Sequence, residues 1–159
     1  MSVAFTKEAD SESAAAALPD RPISPHPNLV TPEGLEQLEA ALNAAKTAYA
    51  AAQAQGEISS DRTAMARATR DLRYFSARRA SAQLIEPVEH PERVTFGAVV
   101  TLEREDGQVQ TWRIVGEDEA DPAQGSVSYL APLARAVLGK EVGDTVTVGG
   151  HELEVTSIA

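Results

Sequence analysis

The sequence predicts an α+β protein, with an N-terminal antiparallel coiled-coil helical hairpin followed by an antiparallel-sheet domain that carries one short helix. Two changes of pattern along the 159 residues predict it. Between 31 and 87, apolar residues return at steps of three and four inside an alanine-rich stretch, which is the period of amphipathic helix. Between 92 and 159 the period shortens to two in runs rich in β-branched residues, and eight of the ten glycines fall there. Helices first and strands afterwards is the order of an α+β chain.

Each element has its own signals. Residues 1–30 read as a disordered, Pro-rich leader: Pro19, Pro22, Pro25 and Pro27 bar a helix, and little there is apolar enough to bury. Thr31 is placed to cap a helix that opens with Pro32 at its first position and Glu33 near the positive end of its dipole. Leu35, Leu38, Leu42, Ala45 and Tyr49 form its apolar stripe. Gln55-Gly56 interrupts, and Ser59, Ser60 and Asp61 offer caps for a second helix with Met65, Ala68, Leu72, Phe75 and Ala82 on one side. That helix must end before Pro87, because the residue ahead of a proline is pushed out of the α region. Two stripes joined by a short turn cover each other, which gives a hairpin over 31–87. After a linker from Pro87 to Glu92, strands are expected at Arg93–Glu103, Val109–Val115, Ser126–Tyr129, Thr145–Val148 and Glu152–Ile158. Asp106-Gly107 and Gly149-Gly150 are the hairpin turns. The short helix spans 133–138, entered through Pro132 and stopped by Gly139.

Composition excludes several classes of function. With 14 basic and 24 acidic residues the net charge is −10, so bulk attraction to nucleic acid is excluded and any such contact needs a local basic face. There is no cysteine, hence no disulfide and no thiolate chemistry. His26, His90 and His151 lie far apart, without the spacing of a metal site. No run approaches the ~20 apolar residues of a membrane span. The first residues lack a basic start followed by an apolar core, so no signal peptide and a cytoplasmic location are expected.

One local basic face exists. Arg62, Arg67, Arg70, Arg73, Arg78 and Arg79 all fall on the second helix, with Asp71 as the single acid between 62 and 85. Two readings stand: a solvated face partly paired with Glu36 and Glu39 of the first helix, or a phosphate-binding face, for which the arginine fork is suited.

The run from Val127 to Asp144 (a strand end, Ser128, Tyr129, Pro132, a short helix, then Gly139-Lys140 and Gly143-Asp144) closely resembles the C-terminal domain of the GreA/GreB transcription elongation factors. Phe96-Gly97 and Ile114-Val115-Gly116-Glu117-Asp118-Glu119-Ala120-Asp121 belong to the same resemblance. It implies an FKBP-like fold for 92–159, a coiled-coil hairpin before it, and bacterial RNA polymerase as the partner. The globular domain would dock at the rim of the secondary channel through Ser128, Tyr129, Leu130, Ala131, Pro132 and Arg135; position 130 is usually Asn or Asp in relatives. The hairpin would enter the channel, and the six arginines would meet the RNA 3′ end or the channel wall.

At the hairpin tip the family pattern Gly-Asp-Leu-Ser-Glu-Asn-Ala-Glu-Tyr corresponds to Gly56-Glu57-Ile58-Ser59-Ser60-Asp61-Arg62-Thr63-Ala64. By resemblance Glu57 and Asp61 are the candidate ligands toward the polymerase Mg²⁺, with no cofactor held permanently. The second acid has moved by one residue, about 100° around a helix. Carboxylates at a helix start also act simply as caps, so both readings of the pair stand. Each arm is about eight residues shorter than is usual in the family, which shortens the reach by ~12 Å. The chain therefore reads as an accessory factor without an active site of its own, possessing either cleavage-promoting activity or that of a channel-binding competitor similar to Rnk-type regulators. A prolyl isomerase is the remote alternative, because only Phe96, Trp112 and Tyr129 are available to line an aromatic pocket.

Overall fold

The computed structural model describes residues 18–55 and 62–159. Glu57 and Asp61, the expected tip carboxylates, lie outside the described residues. In chain order the elements are β1 (Leu29–Val30), α1 (Pro32–Gln55), α2 (Arg62–Ser81), β2 (Gln83–Leu84), β3 (Val99–Arg104), β4 (Val109–Val115), a 3₁₀ turn (Pro122–Gln124), β5 (Ser126–Ser128), α3 (Pro132–Val137), β6 (Thr145–Val148) and β7 (His151–Ile158). They form two compact units. Of the described residues, one holds 18–26 together with 38–55 and 62–81, and the other holds Pro27–Gln37 with Ala82–Ala159.

In the helical unit, Leu38, Ala45 and Ala68 from the two apolar stripes are buried. Glu39, near the start of α1, pairs with Arg79, near the end of α2, at 3.0 Å. Ala41, Ala44, Ala45 and Ala48 of α1 line one groove with Ala68 and Phe75 of α2. These contacts make the helices antiparallel, and the alanines keep the seam narrow.

The second unit is built on a five-stranded sheet in the order β5-β4-β3-β7-β6. Strand alternation places Val100 and Leu102 of β3 with Leu153 and Val155 of β7 in the buried core, joined by Ile114, Val127, Val146, and Ala134 and Val137 of α3. A register shift in the β3–β7 pairing falls between Thr101 and Leu102.

Three expectations need correction. The first strand begins at Val99 rather than Arg93. Residues before it are spent on turns: Gly97 takes φ 87°, and the chain around Val94 is tied to Lys140 and Gly139 by bonds of 2.9 and 2.8 Å. The sheet is also not wholly antiparallel, since β5 runs parallel to β4. The connection between them, with its 3₁₀ turn, crosses over instead of folding straight back. Finally, the leader does not extend to residue 30. Leu29–Val30 pairs in parallel with Gln83–Leu84; Val30 is buried, and Gln83 and Ile85 donate to the carbonyls of Asn28 and Val30 at 2.8 and 3.0 Å.

Candidate functional site

Three groups of residues hold the chemistry of this chain, and the first is the approach to α3. β5 ends at Ser128, whose Oγ accepts the Leu130 N–H at 3.1 Å, while its carbonyl accepts the Ala131 N–H at 2.9 Å. This turn delivers Pro132 to the first position of α3, where its missing donor costs nothing. Tyr129 lies edge-on to Phe96 at 5.8 Å and donates its hydroxyl to the Pro27 carbonyl at 2.6 Å. Tyr129, Ala131 and Leu133 also pack on the core. Leu130 is half-buried, and Pro132 and Arg135 are exposed. The six residues expected to form one surface thus divide by task. Ser128, Tyr129 and Ala131 build the turn, whereas Leu130 and Pro132 beside it and Arg135 within α3 remain accessible.

The second group surrounds the start of α1, and sequence reasoning found only its cap. Thr31 is fully buried. Its hydroxyl accepts the Gly34 N–H at 3.0 Å, the bond expected of an N-cap. The same hydroxyl donates to the Glu119 carboxylate in a very short hydrogen bond. Glu119 also accepts the Thr31 backbone N–H at 3.1 Å, which makes it a second cap supplied by a distant loop. Two glycines make room for this arrangement. A Cβ on Gly34 would stand 2.5 Å from Glu119 Cδ, and one on Gly116 would run into the Leu29 carbonyl. Beside them Arg113 pairs with Glu33 at 3.1 Å. The Glu33 carboxyl titrates below its ordinary value because first its own backbone N–H, then the Arg113 guanidinium, hydrogen-bonds the ionised form. The signal for this group was present in the run Gly116–Glu119, but nothing in a linear reading pairs it with Thr31.

The third group is the arginine face of α2. Arg62 and Arg67 are exposed. Arg70 lies 3.3 Å from Asp71, Arg73 reaches Asp20 at 3.2 Å, and Arg79 is engaged with Glu39. Arg78 is a correction. At 2 % exposed it is part of the interior and does not belong to a ligand-facing surface. It falls on the inward side of the helix, where the periodicity of charge alone could not place it.

Among the described residues, no group of three or more His, Asp or Glu side chains is arranged to hold a metal ion. No described helix is long and apolar enough to cross a membrane. The three aromatic residues considered for a ligand pocket are spent on packing: Phe96 against Tyr129, and Trp112 against the core with its indole N–H donated to Gln110 at 3.0 Å.

A helical hairpin, a mixed sheet with one short helix and a Pro-initiated surface turn define a two-unit α+β class, and comparison with known proteins gives the class a family. The family model described as Transcription elongation factor, GreA/GreB, C-term matches residues 89–159. Transcription elongation factor GreA of Verminephrobacter eiseniae (strain EF01-2) is 38 % identical over 151 residues, spanning 82 % of this chain and 96 % of that protein. The GreA of Anaeromyxobacter sp. (strain K) is 49 % identical over 86 residues, about half of each protein: 50 % of this chain and 52 % of the relative. Among solved structures, GreA factor homolog 1 (Gfh1) of Thermus thermophilus aligns over 84 % of this chain and 99 % of its own, at 19 % identity and a TM-score of 0.41. The chain belongs to the GreA/GreB family. In the Verminephrobacter alignment, 82 % of a 159-residue chain cannot fill 151 positions, so that relative contains segments without counterpart here.

Proposed function

We propose that this chain is a transcription elongation factor that binds RNA polymerase at its secondary channel and works in the cytoplasm as an accessory factor, without an active site of its own. Family membership along nearly the whole length of a relative named transcription elongation factor GreA is the observation that supports it. The docking surface in this reading is the turn before α3. Leu130 and Pro132 offer apolar contact, and Arg135 adds a charge on an otherwise acidic unit; Ser128, Tyr129 and Ala131 hold the turn in shape. The exposed arginines of α2 (Arg62, Arg67 and Arg73), with the half-buried Arg70 and Arg79 beside them, meet the 3′ portion of the nascent RNA or the channel wall.

Cleavage of backtracked transcripts is the activity such a hairpin supports when its tip brings carboxylates to the polymerase Mg²⁺, here Glu57 and Asp61. Magnesium holds its oxygen ligands at about 2.1 Å in strict octahedral geometry, so a reach deficit is not absorbed by small adjustments. α1 has 24 residues and α2 has 20, lengths of about 36 and 30 Å. These short arms favour a second reading, in which the protein occupies the channel and competes with cleavage factors without assisting the reaction. Halted, backtracked elongation complexes with Mg²⁺ separate the two. Short 3′ fragments that disappear with Glu57→Ala and Asp61→Ala establish a cleavage factor. Binding without fragments, with suppression of a known cleavage factor, establishes the competitor. Failure to bind polymerase refutes both.

A further inference from the structure

The leader segment ahead of β1 packs against α2 in a way that neither reading of the hairpin uses. The Arg21 guanidinium lies 3.8 Å over the centre of the Tyr74 ring and 5.1 Å from that of Phe75. Arg21 also pairs with Asp71 at 3.6 Å. Its neighbour Asp20 places a carboxylate oxygen 3.2 Å from Arg73. Asp20, Arg21 and Ile23 line an open groove of about 200 Å³ with Arg73, Tyr74 and Ala77. Pro19 and Pro22 flank the pair, and their fixed φ lowers the entropy lost when this segment lies flat on a helix.

The groups covered here are those a single-stranded nucleotide needs: an aromatic face for a base to stack on and an arginine beside it for the phosphate. The leader supplies a substitute for each. A planar guanidinium occupies the ring face, and a carboxylate occupies the arginine fork. We propose that Asp20-Arg21 is an intramolecular nucleotide mimic, a strap that holds the Arg73–Tyr74 stretch of α2 closed until single-stranded RNA displaces it. The proposal rests on the reading that α2 meets nascent RNA and adds a gate to it. The strap contributes one acid and one base and leaves the net charge of the face unaltered, so it acts by occupying particular groups rather than by repelling phosphate. Its hold is weak enough to be reversible: Arg73 and Asp20 are 67 % and 60 % exposed, and exposed ion pairs are worth little.

The test uses the full chain and a short unstructured RNA oligonucleotide, with binding followed by fluorescence anisotropy at low salt. Asp20→Asn frees Arg73 and is expected to tighten binding about two- to fivefold. Glu92→Gln, an exposed change of equal charge in the sheet unit, is the control and is expected to leave affinity near wild type. The chain has no cysteine, so Ser24→Cys accepts a single spin label that reports the strap directly. The label should be immobilised in the free protein and become mobile when RNA saturates the chain. Equal affinities for the two charge variants, or a label that stays immobilised with RNA bound, overturn the strap while leaving RNA binding in place. Absence of RNA binding by every variant overturns the RNA reading of α2 and the gate with it.

Discussion

Gly34→Ala sets two known effects against each other at one position. Gly34 sits in the first turn of α1, where alanine is favoured over glycine by up to about 1 kcal/mol. On propensity alone the substitution stabilises. The Glu119 carboxylate, however, lies where the new methyl group must go, with Cδ 2.5 Å from the position of a Cβ. This carboxylate is the end of a flexible side chain, so it swings away without backbone strain. The cost lies in what it leaves behind. The Thr31 N–H and hydroxyl both lose a charged acceptor, each such bond being worth about 1.5–3 kcal/mol. Thr31 is also fully buried, and water does not readily replace what was lost. Taking the lower end of these losses, about 3 kcal/mol for the two bonds, against a propensity gain of about 1 leaves a net destabilisation of about 2 kcal/mol. Urea unfolding followed by circular dichroism measures it. The decisive comparison is with Glu119→Ala as background, where no carboxylate remains to displace and Gly34→Ala should turn stabilising. An equal loss of stability in both backgrounds refutes the role assigned to Glu119.

Gly116→Ala should be worse than Gly34→Ala, about 3 kcal/mol in the same urea assay, because its Cβ meets the backbone of Leu29 rather than a movable side chain; Glu119→Ala should not rescue it. For Glu33 the folded-state pKa is lowered, so its stabilising contribution is present above the ordinary carboxyl value and is lost as pH falls through the depressed one. Glu33→Gln should therefore cost a few tenths of a kcal/mol at pH 7, the discount suiting an exposed pair, and progressively less as the pH is lowered below the ordinary carboxyl value, as read from urea midpoints along a pH series. Arg135→Glu should leave thermal stability unchanged, because the side chain is exposed, and should weaken polymerase binding in a pull-down or anisotropy titration severalfold.

The elements with strong local signals were legible in the sequence. The Thr31-Pro32 cap opened α1 where expected, and Val109–Val115 and Thr145–Val148 were bounded by turn glycines; α2 stops at Ser81, well short of Pro87, because Gln83–Leu84 is taken into a strand. What was not legible depends on partners distant along the chain. A two-residue strand such as Leu29–Val30 has no period to detect, and its partner lies more than fifty residues away. The direction of β5 is decided by how its connection crosses over, not by its three residues. Arg78 shares a run with exposed arginines, and only the packing of the helix distinguishes it. Of the residues proposed for docking, the resemblance placed Ser128 to Pro132 ahead of the short helix and Arg135 within it, but the hydroxyl of Tyr129 proved to be engaged with Pro27. The second cap on α1 was hidden for the same reason: a carboxylate at 119 is linked to a threonine at 31 by the fold alone.

The short parallel ladder between β1 and β2 has a consequence for how this protein changes over time. It clasps the chain just before α1 to the chain just after α2, through the bonds at Asn28, Val30, Gln83 and Ile85. Everything between these points is a closed excursion that leaves the clasp and returns to it. Trimming one turn from each arm removes paired surface from both helices and leaves the clasp, the sheet and the turn at Pro132 with the same neighbours. Arm length is thus a dimension in which the lineage can drift or be engineered at little cost to the fold, and exchange of arms between relatives needs to preserve only the two clasped ends.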